Sequence, residues 1–250
     1  MEPPPAKKRK TTAEEGTNGD GSDDPIPAPI FLFATSSDCQ QRRNKSRDHW
    51  SRKECLTLRE MLGIGEYAIN FLFVGNYIIN FEFLLDEIPE LLSLPKTCVI
   101  YGSKEGSESA WRQACTTLDG NCSVDFICRN PSDPPKSATN PLPQRIPYGT
   151  HHTKLFLVGY GSGSLRVVIH TANLRFSDIN HKAQAAYIQD FQRKQSPAVP
   201  GSEFEDALVS YIETYGYDKK FTWDDPSSKE PGITLAEQLR QYDFSSATGK

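Results

Sequence analysis

Tyr148–Leu174, YGTHHTKLFLVGYGSGSLRVVIHTANL, is the stretch on which the reading of this 250-residue chain turns. Lys154–Tyr160 and Leu165–His170 are apolar and rich in β-branched and aromatic residues, and Gly161-Ser162-Gly163-Ser164 separates them. Two such runs around a glycine-rich tetrapeptide predict a β-hairpin. Side chains two apart on a strand project from one face, so His152 and Lys154 aim an imidazole and an ammonium at the same point. The returning strand ends at His170-Thr171-Ala172-Asn173, which brings the Asn173 amide beside that pair.

Together these three residues offer a nucleophile or base, a fixed positive charge and a neutral hydrogen-bond donor, a set that suits an anionic phosphodiester. Imidazole titrates near neutrality and attacks phosphorus without a metal. Lys154 and Asn173 would stabilise charge on the non-bridging oxygens. By itself an H-x-K triplet is weak, since 5 His and 15 Lys in 250 residues give roughly 0.3 by chance. The neighbouring histidines read as structural. His151 alternates to the opposite face from His152, and His170 reads as hydrogen-bonded support. His49 and His181 sit in polar surroundings and are expected at the surface, as is Lys104.

Outward from the hairpin, strands and helices interleave. Phe31–Phe33, Tyr67–Ile79, Thr97–Tyr101 and Val124–Cys128 read as strands. Leu56–Leu62 reads as a short helix, and Glu82–Leu92 as a longer one, with Leu84, Leu85, Ile88, Leu91 and Leu92 at helical spacing and Pro95 as its stop. Ser202-Glu203-Phe204-Glu205 and Thr234-Leu235-Ala236-Glu237 both fit capping boxes, so two late helices are expected. Gln41–Lys53 is polar and basic and reads as a solvated loop; Asn130–Pro147, with six prolines, reads as an irregular connection. The interleaving points to an α/β layered fold.

Composition sets the outer bounds. Hydrophobic residues make up 37% of the chain and aromatics 10%, enough for a real core. No run approaches the roughly 18 apolar residues that span a bilayer, so no membrane partner is expected. Residues 1–29 differ from the rest. Six prolines punctuate Gly, Ser, Asp and Glu, and only Met1 and Ile26 are large and apolar, so a disordered tail is expected. Lys7-Lys8-Arg9-Lys10 within it suits a nuclear-import signal, which places the chain in the nucleus. The formal net charge of -4 argues against a nonspecific polycation. Six cysteines without a C-x-x-C pair fit neither a zinc ribbon nor a disulfide scaffold, and reduced cysteines in an intracellular protein are expected.

The run Gly149–Lys154 followed by Leu165–Leu174 resembles the first catalytic motif of the tyrosyl-DNA phosphodiesterase family, in the phospholipase D superfamily. Asn173 stands where most of the superfamily has Asp. More diffuse similarity extends from about Ile30 to Tyr242, including Phe71–Leu85 and the Tyr101-Gly102-Ser103-Lys104-Glu105 turn. The resemblance implies one phospholipase D-like half over 30–250, an α/β domain with a mixed sheet flanked by helices, out of the usual two-domain pair. It implies that His152 is the nucleophile forming a phosphohistidine, that Lys154 and Asn173 hold the phosphate, and that Tyr148 stacks on a base. The implied partner is single- or double-stranded DNA bearing a 3′-linked tyrosine, topoisomerase I peptide or other blocking group, and no metal or cofactor is called for.

The family reaction uses two H-x-K motifs, the second His serving as general acid. This sequence holds one. The expectation is thus the first half of an enzyme, active alone only by pairing two His152 sites across a symmetric dimer. Self-association through the exposed half-domain face fits that picture. The alternative is an inactive DNA-end-binding or interaction module that keeps the phosphate pocket. A lipid phosphodiesterase is disfavoured by the basic tail and by Asn173.

Overall fold

The computed structural model describes residues 30–33, 55–117, 123–128, 151–196, 200–220 and 232–247. The tail of residues 1–29, the basic stretch 41–53, the proline-rich stretch 130–147 and Tyr148 fall outside them.

Eight strands form a single mixed sheet among the described residues: β1 (Ile30–Phe33), β2 (Cys55–Leu56), β3 (Ile69–Asn80), β4 (Lys96–Glu105), β5 (Ser123–Cys128), β6 (Lys154–Tyr160), β7 (Leu165–His170) and β8 (Ala185–Phe191). Their order is β2-β1-β8-β7-β6-β3-β4-β5. β3, β4 and β5 run parallel, whereas β6 is antiparallel to both β3 and β7, and β8 to β7. The C-terminal ends of β3, β4 and β7 and the start of β6 therefore meet at one edge of the sheet.

Both sheet faces are covered, which is why β6 is buried along its whole length rather than alternating with solvent. On one face Phe156, Val158 and Tyr160 pack with Leu72, Val74, Val99 and Trp111, under α1 (Leu58–Leu62), α2 (Phe81–Glu87) and α3 (Ser109–Thr117). On the other, Leu155 and Leu157 join Phe71, Phe73, Ile100 and Val167 beneath α5 (Glu203–Glu213) and α6 (Leu235–Leu239). A short α4 (Phe176–His181) links β7 to β8.

Several expectations are revised. The helix expected over Glu82–Leu92 is broken in two, because Pro89 has no N–H to give and constrains Ile88 (φ −137°, ψ 73°); a 3-10 turn, Pro89–Ser93, follows α2. The Tyr101–Glu105 run is not a turn but the end of β4, paired in register with β3 as far as Asn80 and Glu105. α1 starts at Leu58, where Thr57 closes a capping box with Glu60. Thr234 and Glu237 close the same box at α6. At α5 Ser202 caps the Glu205 N–H, but the Glu205 carboxylate turns away to Lys194 at 2.8 Å, so that box stays open. Cys98 and Cys128 carry free thiols, whereas Cys115 is disulfide-bonded. Nothing in the cysteine spacing marks Cys115 out, which is why the sequence points to uniformly reduced cysteines.

Candidate active site

Three local features build the site at the polar edge of the sheet. First, β6 begins at Lys154, which pairs with Asn76 of β3. Second, Ala172-Asn173-Leu174 leaves β7 and runs alongside the end of β3. Asn76 Nδ2 donates to the Ala172 carbonyl at 3.1 Å, the Leu174 N–H donates to the Ile78 carbonyl at 3.0 Å, and the Asn80 N–H donates back to Leu174 at 2.8 Å. Third, Gly102 of β4 lets the backbone at His151 come close. A Cβ there would lie 2.9 Å from the Tyr77 ring and 3.1 Å from the His151 carbonyl.

His152 and Lys154 share a face, as their spacing predicts. The Lys154 ammonium lies 3.1 Å from His152 Nδ1 and 3.3 Å from the His152 carbonyl. An ammonium only donates, so Nδ1 is the acceptor and a neutral ring carries its proton on Nε2. The His152 ring is exposed and leans on Tyr77, ring centres 5.1 Å apart. Lys154, by contrast, is 7% exposed. Burial pushes its ammonium below the ordinary lysine value, and the charge of Asp178 works against that shift.

Asn173 lies on the neighbouring loop, half-buried. Its Nδ2 donates to Asp178 Oδ2 at 2.7 Å and its backbone N–H reaches the same oxygen at 3.3 Å. Asn173 Oδ1 is buried with no partner among the described residues. Burial pushes the Asp178 carboxyl upward, but hydrogen bonds from Lys182 and Asn173 outweigh it and hold the group below its usual range. Sequence reasoning passes over Asp178, Tyr77 and Gly102. Only the spacing of Asp178, five residues after Asn173 in a short helix, hints that it turns back.

The other histidines separate cleanly. His151 points to the opposite face, where Nε2 lies 2.8 Å from the hydroxyl of Tyr215, just past the end of α5. His170 is stacked on Phe156, ring centres 4.7 Å apart at 10°, and neither ring nitrogen has a hydrogen-bond partner among the described residues. Aromatic stacking on Phe156 is the support the geometry shows for it. Burial, and then the Lys154 charge, push it down to about 3. His181 and Lys104 are exposed, Lys104 pairing with Glu108 at 3.0 Å, and His49 lies outside the described residues. Among the described residues no group of three or more His, Cys, Asp or Glu could hold a metal ion, and no helix is long and apolar enough to cross a membrane.

The family model for tyrosyl-DNA phosphodiesterase matches residues 38–250. The chain belongs to the tyrosyl-DNA phosphodiesterase family. Among curated relatives, tyrosyl-DNA phosphodiesterase 1 of Arabidopsis thaliana is 27% identical over 201 residues, 80% of this chain and 29% of that protein. A probable tyrosyl-DNA phosphodiesterase of Caenorhabditis elegans is 39% identical over 70 residues, 28% of this chain and 16% of that protein. A crystal structure of a yeast tyrosyl-DNA phosphodiesterase 1 mutant aligns with a TM-score of 0.55 at 14% identity, covering 87% of this chain and 42% of that one. The fold is thus the phospholipase D-like α/β fold of that family, and the chain spans less than half the length of these relatives.

Proposed function

We propose that this tyrosyl-DNA phosphodiesterase family member is a DNA-repair phosphodiesterase that opens 3′-phosphotyrosyl bonds, such as those of stalled topoisomerase I peptides, and other 3′ blocking groups. The observation that carries the reading is the His152–Lys154 pair, an exposed nucleophile hydrogen-bonded to a buried cation. In the resting geometry Lys154 occupies the Nδ1 lone pair. A phosphate oxygen that draws the ammonium away releases that constraint and leaves the ring free to attack. A ring nitrogen of His152 then forms a bond to phosphorus, the bond to the tyrosyl oxygen breaks, and the phenol departs. Lys154 and one N–H of Asn173 stabilise the phosphoryl oxygens. Water hydrolyses the phosphohistidine, leaving a 3′ phosphate. No step calls on a metal or cofactor. Tyr148 stacks on a base of the DNA end, and Lys7–Lys10 directs the chain to the nucleus.

The departing phenol needs a proton from outside this set, because the sequence holds one H-x-K. A second copy facing its own His152 across a two-fold axis supplies one. In that case specific activity rises with protein concentration.

The same single motif favours a second reading, a DNA-end-binding module without turnover. One experiment separates the two. The purified chain is incubated with a 3′-phosphotyrosyl oligonucleotide, and tyrosine release and affinity are measured for wild type, His152→Ala and Tyr148→Ala. The phosphodiesterase reading expects release by wild type, a loss of about 10³-fold or more in His152→Ala with affinity kept, and weaker binding by Tyr148→Ala. Binding without release in wild type selects the module, and absence of both sinks the two readings together. Import is tested by deleting Lys7–Lys10 from a fusion too large to diffuse through nuclear pores; continued nuclear accumulation would remove that assignment.

A further inference from the structure

Asp178 is 4% exposed, a costly position for a carboxylate unless its partners hold it there. Its pairing with Lys182, at 2.6 Å, reaches outward from the protein, since the Lys182 side chain is 58% exposed and sits just past the end of α4. The partner inside the protein is Asn173, which gives both its side-chain and its backbone N–H to Asp178 Oδ2, at 2.7 and 3.3 Å.

A carboxylate accepts and never donates. The side of the Asn173 amide that faces it must be the NH₂, so Asp178 decides which way the amide points. The residues on either side of Asn173 are fixed by other means, Ala172 and Leu174 being held through their backbones by Asn76 and by Ile78. One Nδ2 hydrogen is committed to Asp178, the second keeps a defined direction, and Oδ1 is buried with no partner among the described residues. For a phosphate this orientation matters, because an anion is served by N–H and repelled by C=O. An amide free to turn over would present the wrong atom part of the time.

We infer that Asp178 is a positioning residue that locks the Asn173 amide with its N–H toward bound phosphate. The inference rests on Asn173 being a phosphate-binding group, and it makes a prediction opposite in sign to simple electrostatics. Removing a negative charge near a phosphate site should tighten anion binding. Removing the lock should loosen it.

Asp178→Asn keeps the shape but lets the facing group donate or accept, so the Asn173 amide can turn over. Affinity for a 3′-phosphorylated oligonucleotide is expected to fall about tenfold or more in this variant. The same substitution in an Asn173→Ala background is expected to change nothing or to tighten binding. Asp178→Glu, again acceptor-only, is expected to bind within about threefold of wild type. Tighter binding by Asp178→Asn, equal losses in both backgrounds, or a Glu variant as weak as the Asn variant would each overturn the inference. Asp178→Ser makes the same comparison if Asp178→Asn does not fold. A second readout is independent of DNA. In the NMR spectrum the Asn173 amide proton facing the carboxylate should lie downfield in wild type and move back in Asp178→Asn, and an unchanged resonance overturns the lock. If wild type binds no oligonucleotide, the phosphodiesterase reading fails, and the resonance still decides whether Asp178 orients Asn173.

Discussion

At its turn end the β6–β7 hairpin has its polar groups paired. Tyr160 donates its hydroxyl to the Leu62 carbonyl at 2.9 Å. Arg166 joins Asp190 at 2.6 Å and the Met61 carbonyl at 3.2 Å, and lies 5.5 Å from the Tyr160 ring. At its open end the same hairpin, with the adjoining strand and loop, buries polar atoms that have no partner among the described residues: both ring nitrogens of His170, Oδ1 of Asn173, and Oδ1 of Asn76. A buried polar atom left unpaired costs about 1–3 kcal/mol. The comparison teaches that this cost is gathered at the end that holds His152 and Lys154, while the turn end anchors the hairpin to α1.

The comparison can be broken most severely through His170. Its folded-state value of about 3 lies below the ordinary 6.5, so between those values the unfolded chain binds more protons than the folded one. Stability is therefore fully present above pH 6.5 and is lost as pH falls toward 3. Wild type is expected to lose up to about 3 kcal/mol from this source between neutral pH and pH ~4, and His170→Gln much less, by urea unfolding at each pH. Equal acid limbs in the two proteins would mean that the buried imidazole is not the cause.

Lys154→Met tests whether the open end trades stability for binding. Affinity for a 3′-phosphorylated oligonucleotide is expected to drop about 10–100-fold, the share of a charge-assisted hydrogen bond. Thermodynamic stability should rise by about 1 kcal/mol, because a buried ammonium is replaced by an apolar chain of similar length. A stability loss would show that Lys154 holds the fold as well as the ligand. Arg166→Ala is the smaller, mirror-image change. It should lower stability by about 1–2 kcal/mol in denaturant unfolding and leave oligonucleotide affinity unaltered. A fall in affinity would mean that the two ends are coupled.

The hairpin is legible in the sequence because its two runs are uniformly apolar and its turn is glycine-rich, and the capping boxes at Thr57 and Thr234 because their chemistry is local. The pairing of His152 with Lys154 follows from strand periodicity alone. Other parts are hidden for physical reasons. α3 escapes a sequence reading because its buried residues, Trp111 and Cys115, are too few to draw a helical stripe. β8 escapes it because Ala185–Phe191 mixes alanine with polar residues, and its burial comes from neighbours on both sides in the sheet. Pro89 is outweighed by the leucine spacing around it, although its lack of an N–H ends α2. Asp178 is invisible because its meaning lies in a hydrogen bond back to Asn173, and composition gives no sign of where a carboxylate turns.

The order of the strands has a kinetic consequence. β6 is inserted between β3 and β7, so Lys154 meets Asn76 only after the chain closes a loop of roughly eighty residues. Closure entropy must be met before such a distant pairing gives anything back. The hairpin can form early and locally, but the edge proposed to bind phosphate needs β3 in place. In a refolding experiment, recovery of oligonucleotide binding should therefore follow the slowest phase of strand formation; recovery in the first phase would show that β3 is dispensable for the site. A nascent or partly unfolded chain would then carry the His152–Lys154 motif without the strand arrangement that completes the site.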